Sequence, residues 1–149
     1  MSQEGGGIDL DTSLGYLLKE ASSALRVAME AVLRPLGMTI TQYSCLELLA
    51  QRPGLSNSEL ARGAFVTRQS MNVLLQAMER DGYVIRPAEA PVGKVLPTRL
   101  TSRGRQSLET ASAAVRSVEK RMLRGMTDAE QAAALVSLRS MIAGLQAEG

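Results

Sequence analysis

Leu55-Ser-Asn-Ser-Glu-Leu-Ala-Arg-Gly-Ala-Phe-Val-Thr-Arg-Gln-Ser-Met-Asn-Val-Leu-Leu-Gln-Ala-Met-Glu-Arg-Asp-Gly82 reads as two short helices joined by a tight turn. The first start is a capping box: the Ser56 hydroxyl suits the backbone N–H of Glu59, the Glu59 carboxylate reaches back, and Leu55 and Leu60 form a hydrophobic staple. Thr67 is a second N-cap, with Val66 and Met71 in the staple positions and Asp81-Gly82 as the stop. Only Gly63 to Val66 remain for the turn, which is the spacing of a helix-turn-helix.

In the second helix Met71, Leu74, Leu75 and Met78 recur at three- and four-residue spacing, so that face packs inward and Arg68, Gln69, Asn72, Val73 and Gln76 face out. Arg matches guanine O6 and N7, Asn and Gln match adenine N6 and N7, and hydroxyls such as Ser70 suit bases or phosphates. These residues, with Thr67, occupy the first turns, the part of a recognition helix that enters the major groove. Two capped helices with a short turn also occur in plain bundles, where such polar residues are merely solvated.

The segment after Gly82 favours the first reading. Tyr83-Val-Ile-Arg86 is β-prone, the stretch from Pro87 to Gly93 is turn-forming, and Lys94-Val-Leu-Pro-Thr-Arg-Leu100 is again extended. A two-stranded ribbon behind a helix-turn-helix is a wing, whose Arg86, Lys94 and Arg99 would reach an adjoining backbone or minor groove. Alternatively it is a hairpin closing the domain edge, with the same cations guarding an exposed strand.

Gly37-Met-Thr-Ile-Thr-Gln-Tyr43, Leu60-Ala61, Val66-Thr-Arg-Gln-Ser-Met-Asn72, the Met78-Glu79 to Gly82-Tyr83-Val84 turn and Leu100-Thr101-x-x-Gly104 together resemble the MarR family of bacterial transcription regulators, over nearly the whole chain. The resemblance implies a mainly α fold with a small β-wing (α+β), a winged helix-turn-helix with N- and C-terminal dimerisation helices. It further implies a homodimer, usually a repressor, on a pseudo-palindromic operator in double-stranded DNA, released by a small lipophilic or phenolic effector. The wing departs from the family pattern: Val92, Gly93 and Lys94 stand where an Asp-x-Arg group is usual, so Lys94 would be a less directional substitute for a minor-groove Arg.

The expected organisation is a flexible tail over 1–10 and a single domain over 11–149, with a DNA-binding lobe at 38–100 and dimerisation helices at 11–34 and 101–147. Leu14, Leu17, Leu18, Ala21, Leu25, Met29, Val32 and Leu33 make the first helical stripe, from about Thr12 to Arg34. Thr39 to Gln42 caps a helix whose Tyr43, Leu46, Leu49 and Ala50 point inward. Thr101 opens a long helix bearing Leu108, Ala111, Val115, Val118 and Met122, which Gly125 ends, and Thr127 to Glu130 caps a last one bearing Leu135, Leu138, Ile142 and Leu145. The outer helices carry apolar faces without belonging to the winged helix, so they call for a second copy. Ser56, Ser58 and Gln42 are expected to hold phosphates or orient the lobe. The effector pocket implied by the resemblance lies between lobe and dimerisation helices, lined by Tyr16, Leu17, Tyr43, Leu46 and Val115, or else these are core residues with locally satisfied hydroxyls.

Composition narrows the function classes. Hydrophobic residues make up 45% but aromatics only 3%, so the core must be built from Leu, Val, Ala and Met. The chain is +2 overall, yet residues 54–105 carry eight cations against four carboxylates, a net +4 on the segment proposed to read DNA. One Cys and no His exclude an intrachain disulfide, a His-based general acid or base, and a Cys/His zinc site. No Gly-rich phosphate loop or paired carboxylate site is present, so no enzyme and no cofactor are expected. Without a signal peptide or a bilayer-length apolar run, the expected location is the cytoplasm and a membrane is not an expected partner. Cys45 has no cation adjacent in sequence and reads as an inert buried thiol. The alternative to a DNA reader is a winged-helix module for dimerisation or protein interaction, supported by the altered wing and the modest net charge.

Overall fold

The computed structural model describes residues 6–86 and 98–147. After a short 3-10 turn at Leu10–Thr12, helix α1 (Leu14–Leu33) opens on Ser13, whose hydroxyl accepts from Tyr16 N–H. The start thus falls a turn-edge later than Thr12, because Asp9 and Ser13 take the two capping roles. Pro35 sits in a second 3-10 turn, Arg34–Leu36, and Gly37 turns the chain into α2 (Ile40–Gln51). Helix α3 (Asn57–Gly63) and helix α4 (Arg68–Arg80) follow, then strands β1 (Val84–Ile85) and β2 (Arg99–Leu100), and helices α5 (Ser102–Leu123) and α6 (Asp128–Gln146). The strands pair antiparallel, Val84 opposite Leu100 and Ile85 opposite Arg99.

The expected caps are formed. Thr39 with Gln42, Ser56 with Glu59 and Thr127 with Glu130 each make both hydrogen bonds of a capping box. Thr67 and Thr101 accept from Ser70 N–H and Gly104 N–H. Each cap satisfies N–H groups that the first helical turn leaves without partners, which fixes where each helix begins.

The core joins α2, α3, α4, the ribbon and the start of α5: Cys45, Leu46, Leu49, Leu60, Met71, Leu75, Met78, Val84, Leu100 and Leu108 are buried together. Leu74 is only half-buried and packs at its edge. Ala50, expected inward, is exposed; Cys45 fills the inward position on that helix instead. Helix α1 lies along α5, but Leu33 is its sole buried residue, and no described residue of α6 is buried.

The ribbon joins the start of α5 through a close approach. Tyr83 O accepts from Thr101 N–H at 3.1 Å, the Thr101 hydroxyl donates to Gly82 O at 2.6 Å, and it accepts from Gly104 N–H at 3.0 Å. A Cβ at position 104 would run into the Tyr83 carbonyl oxygen, so glycine is what lets the first turn of α5 lie on the turn before β1. The Arg103 guanidinium stacks 4.7 Å from the Tyr83 ring centroid and closes the joint from outside. Gly104→Ala is expected to cost about 1 to 3 kcal/mol, the scale of forced overpacking, with a fall in Tm of several degrees. An unchanged Tm would mean that α5 can shift away from Tyr83 at no cost.

Candidate nucleic-acid interface

Helix α4 divides by burial as its periodicity requires. Met71, Leu75 and Met78 are within 1% of complete burial, while Arg68, Gln69, Ser70, Asn72, Val73 and Gln76 are exposed. Thr67 and Ser70 bond each other at 2.9 Å in addition to the cap, which leaves the Ser70 hydrogen as the free donor of the pair. Among the described residues Arg68, Gln69 and Gln76 make no side-chain hydrogen bond or ion pair. The donors and acceptors of Arg68 and Gln69 are therefore available at the start of the helix, where the peptide dipoles also favour an anion.

Ser56 lies exposed at the N-terminus of α3 and Ser58 is half-buried in its first turn. The Ser56 N–H and hydroxyl hold the Glu59 carboxyl below the usual carboxylate range. The Gln42 amide oxygen accepts from Thr39 N–H at 2.9 Å, and the residue lines a small cleft with Met78, Tyr83 and Ser107. Its capping role thus occupies the amide oxygen and leaves the NH2 group, the donor that a phosphate contact would use.

Of the three wing cations, Arg99 is exposed on β2 and Lys94 lies outside the described residues, as do Val92 and Gly93. Arg86 turns back onto α4: its backbone N–H and Nε lie 3.2 and 3.5 Å from the Glu79 carboxylate, and its Nη1 donates to Asn72 Oδ1 at 3.2 Å. The sequence reading missed Glu79. Its signal was the seven-residue spacing from Asn72, two helical turns along one face, with an Arg soon after the following turn.

The five residues expected to line an effector pocket are not brought together. Leu46 is 1% exposed, locked in the core against α4, and Tyr16 and Leu17 are exposed on the N-terminal half of α1. Val115 is half-buried on α5, and the half-buried Tyr43 hydroxyl donates to Glu47. Periodicity identifies an apolar helix face but not its neighbour, and here the α1 face toward the lobe carries Leu25 and Met29. A cleft of about 790 Å³ opens between α1, the start of α2 and the α3–α4 turn, lined by Leu25, Arg26, Met29, Arg34, Ile40 and Phe65 among others. Phe65 is 93% exposed and has φ 61°, a left-handed conformation that a bulky side chain seldom adopts.

Glu47 ties α2 to α5, accepting from Tyr43, from Gln51 Nε2 at 2.8 Å and from Ser112 Oγ at 3.0 Å. Burial alone would raise its pKa, but these three hydrogen bonds and the nearby Arg116 outweigh it and hold the carboxyl below its ordinary 4.5. Burial, then Glu47, push the Tyr43 phenol up to about 12. Burial also pushes the Cys45 thiol up to about 12, consistent with an inert cysteine.

A sequence model of the MarR family matches residues 36–94, from the end of the first helix into the wing. The chain is 45% identical over 125 residues to the HTH-type transcriptional repressor Rv2887 of Mycobacterium tuberculosis, covering 84% of this chain and 90% of the relative. The structure of Rv2887 in complex with DNA matches with a TM-score of 0.69 at 40% identity, covering 92% of this chain and all of the other. Its complex with salicylic acid matches with a TM-score of 0.72 at 43% identity, over 88% and 97% of the two chains.

Because Glu47 has a lowered folded-state pKa, its contribution is fully present above pH 4.5 and fades as pH falls through the folded value. The stability difference between wild type and Glu47→Gln, measured by chemical denaturation, is expected to be largest near neutrality and to shrink below about pH 4.5. Glu59 and Glu130, also lowered, are common to both proteins and cancel. A difference that stays constant throughout acidification would remove the Glu47 carboxylate as the source.

Proposed function

The chain belongs to the MarR family, and from that premise we propose that it is a homodimeric, ligand-responsive repressor whose α4 helices read the two halves of a pseudo-palindromic operator. The observation that carries this reading is the exposed, unpaired Arg68 and Gln69 at the capped start of α4, on a lobe that matches one solved in complex with DNA. Arg68, Gln69, Asn72 and Val73 face base edges, with Thr67, Ser70, Ser56 and Ser58 toward phosphates. Arg99 reaches the flanking backbone from the ribbon. The setting proposed is the cytoplasm; no helix among the described residues is long and apolar enough to cross a membrane.

A second copy covers the apolar surface that the monomer leaves in water. Leu14, Leu17 and Leu18 on α1, and Leu135, Val136, Leu138, Ile142 and Leu145 on α6, are each at least 41% exposed. Joining two chains there would set the two α4 helices about 34 Å apart, one turn of DNA.

The cleft beside α1 is the proposed effector site, in place of the residues expected from sequence. Leu25, Met29, Ile40 and Phe65 offer an apolar wall for an aromatic ring. Arg26 and Arg34, both beside Glu30 at 3.1 and 3.8 Å, can exchange that carboxylate for one on the ligand. Phe65 stands two residues before the α4 cap, so a ligand that moves it also moves the recognition helix.

Fluorescence anisotropy with a labelled fragment from upstream of the protein's own gene should show saturable binding that resists a scrambled competitor and weakens steeply with salt. Arg68→Ala should cost about 1 to 3 kcal/mol and relax specificity at one base pair. Equal, competitor-sensitive binding to both fragments would instead favour an interaction module. Salicylate should release the bound operator, and Arg26→Leu should raise the concentration required by about tenfold or more, the scale of a lost charged hydrogen bond. An unchanged salicylate response in that variant would place the effector elsewhere.

A further inference from the structure

We propose that Arg86 is a specificity-determining positioning residue: it holds the Asn72 side chain with its NH2 group outward, so that this position reads acceptors on a base edge and prefers guanine to adenine. The inference rests on the DNA-reading role of α4 proposed above.

The argument begins with donor and acceptor inventories. An arginine guanidinium only donates, so the Asn72 atom facing Arg86 Nη1 at 3.2 Å must be the amide oxygen. The guanidinium is not free to follow Asn72 elsewhere, because Glu79 holds both its Nε and the backbone N–H of the same residue. Arg86 is also the least exposed member of the triad, with its side chain 25% accessible against 40% for Glu79. The carboxylate, the guanidinium and the amide thus form a chain running from the last turn of α4, through the end of β1, back to the second turn of α4.

Asparagine reads adenine with both of its polar atoms, the oxygen accepting from N6 and the NH2 donating to N7. With the oxygen turned toward Arg86, only the NH2 group is presented outward. It meets two acceptors on guanine, O6 and N7, but on adenine it meets N7 beside the N6 donor. A residue whose type alone suggests adenine is thereby set to favour guanine. The device belongs to the ribbon's base and to α4, and all three of its residues are described.

The test is operator binding by the full-length protein, with every position of the half-site replaced in turn by each base. Wild type should prefer guanine over adenine by about fivefold or more at one position per half-site. Arg86→Met should release the amide and shift that position toward adenine, while the remaining positions keep their order. Arg86→Lys keeps the charge but cannot bridge Glu79 and Asn72 together, so it should shift the same position. In an Asn72→Ala background neither substitution should alter base preference.

Unchanged preferences in Arg86→Met and Arg86→Lys, or a uniform loss on every sequence, would make Arg86 a phosphate contact and overturn the proposal. Failure of both variants to fold would make it a stability element and overturn it equally. Absence of any sequence preference in wild type would instead reject the DNA-reading function itself, which separates the two failures.

Discussion

The seating of α5 on the Tyr83 carbonyl is the contact through which the rest of the molecule works. The reading lobe and the outer helices are joined covalently at the turn from α1 into α2 and where β2 runs into α5, and at the second junction their relative angle depends on how closely α5 can start against β1. Gly104 permits the approach, and the Thr101 hydroxyl, bonded to Gly82 O and Gly104 N–H, fixes its register. Glu47 adds a second tie, from α2 to Ser112 further along α5. A dimer held through α1 and α6 inherits its recognition-helix spacing from these two ties, since a small rotation at the joint is amplified along the helices.

Within the lobe, local chemistry settles where elements begin and packing settles where they point. Thr67 ends the turn by satisfying Ser70 N–H, and the 0% exposed Met71 and Leu75 then fix the rotation of α4, leaving Arg68, Gln69 and Asn72 outward. The turn itself carries a cost. Phe65 sits in a left-handed conformation with its ring in solvent, a combination that folding alone gives no reason to keep. It stands on the wall of the cleft beside α1, two residues before the α4 cap, where the proposed ligand would meet it.

Cap residues made the helix starts legible in the sequence, because a cap is a contact between neighbours three residues apart. Ser56, Thr67, Thr101 and Thr127 needed no tertiary information, and neither did the split of α4 into buried and exposed faces. The effector residues needed it, and the structure buries Leu46 in the core while leaving Tyr16 and Leu17 exposed on α1. Leu46 and Tyr43 belong to an apolar helix face, but periodicity does not say that Leu46 faces Met71 and Met78 while Leu25 and Met29 face the cleft. Ala50 failed for a related reason, since alanine carries little hydrophobic drive and is tolerated on either side. Gln42 was recognised as a cap and also assigned to phosphate or to orienting the lobe; Thr39 N–H occupies its amide oxygen and leaves the NH2 group as the donor.

Arg86 shows why cations near a ribbon do not translate directly into phosphate contacts. From sequence, its position after a β-prone run makes it a wing residue, and wing cations are expected at a backbone or minor groove. Glu79 changes that assignment by holding the guanidinium against α4, with Nε 3.5 Å from its carboxylate. In the proposed reading, the ribbon's base then acts on the helix that meets the major groove. Base choice at Asn72 follows from a residue that touches no base, so side-chain identity on α4 alone does not determine which operator the helix prefers.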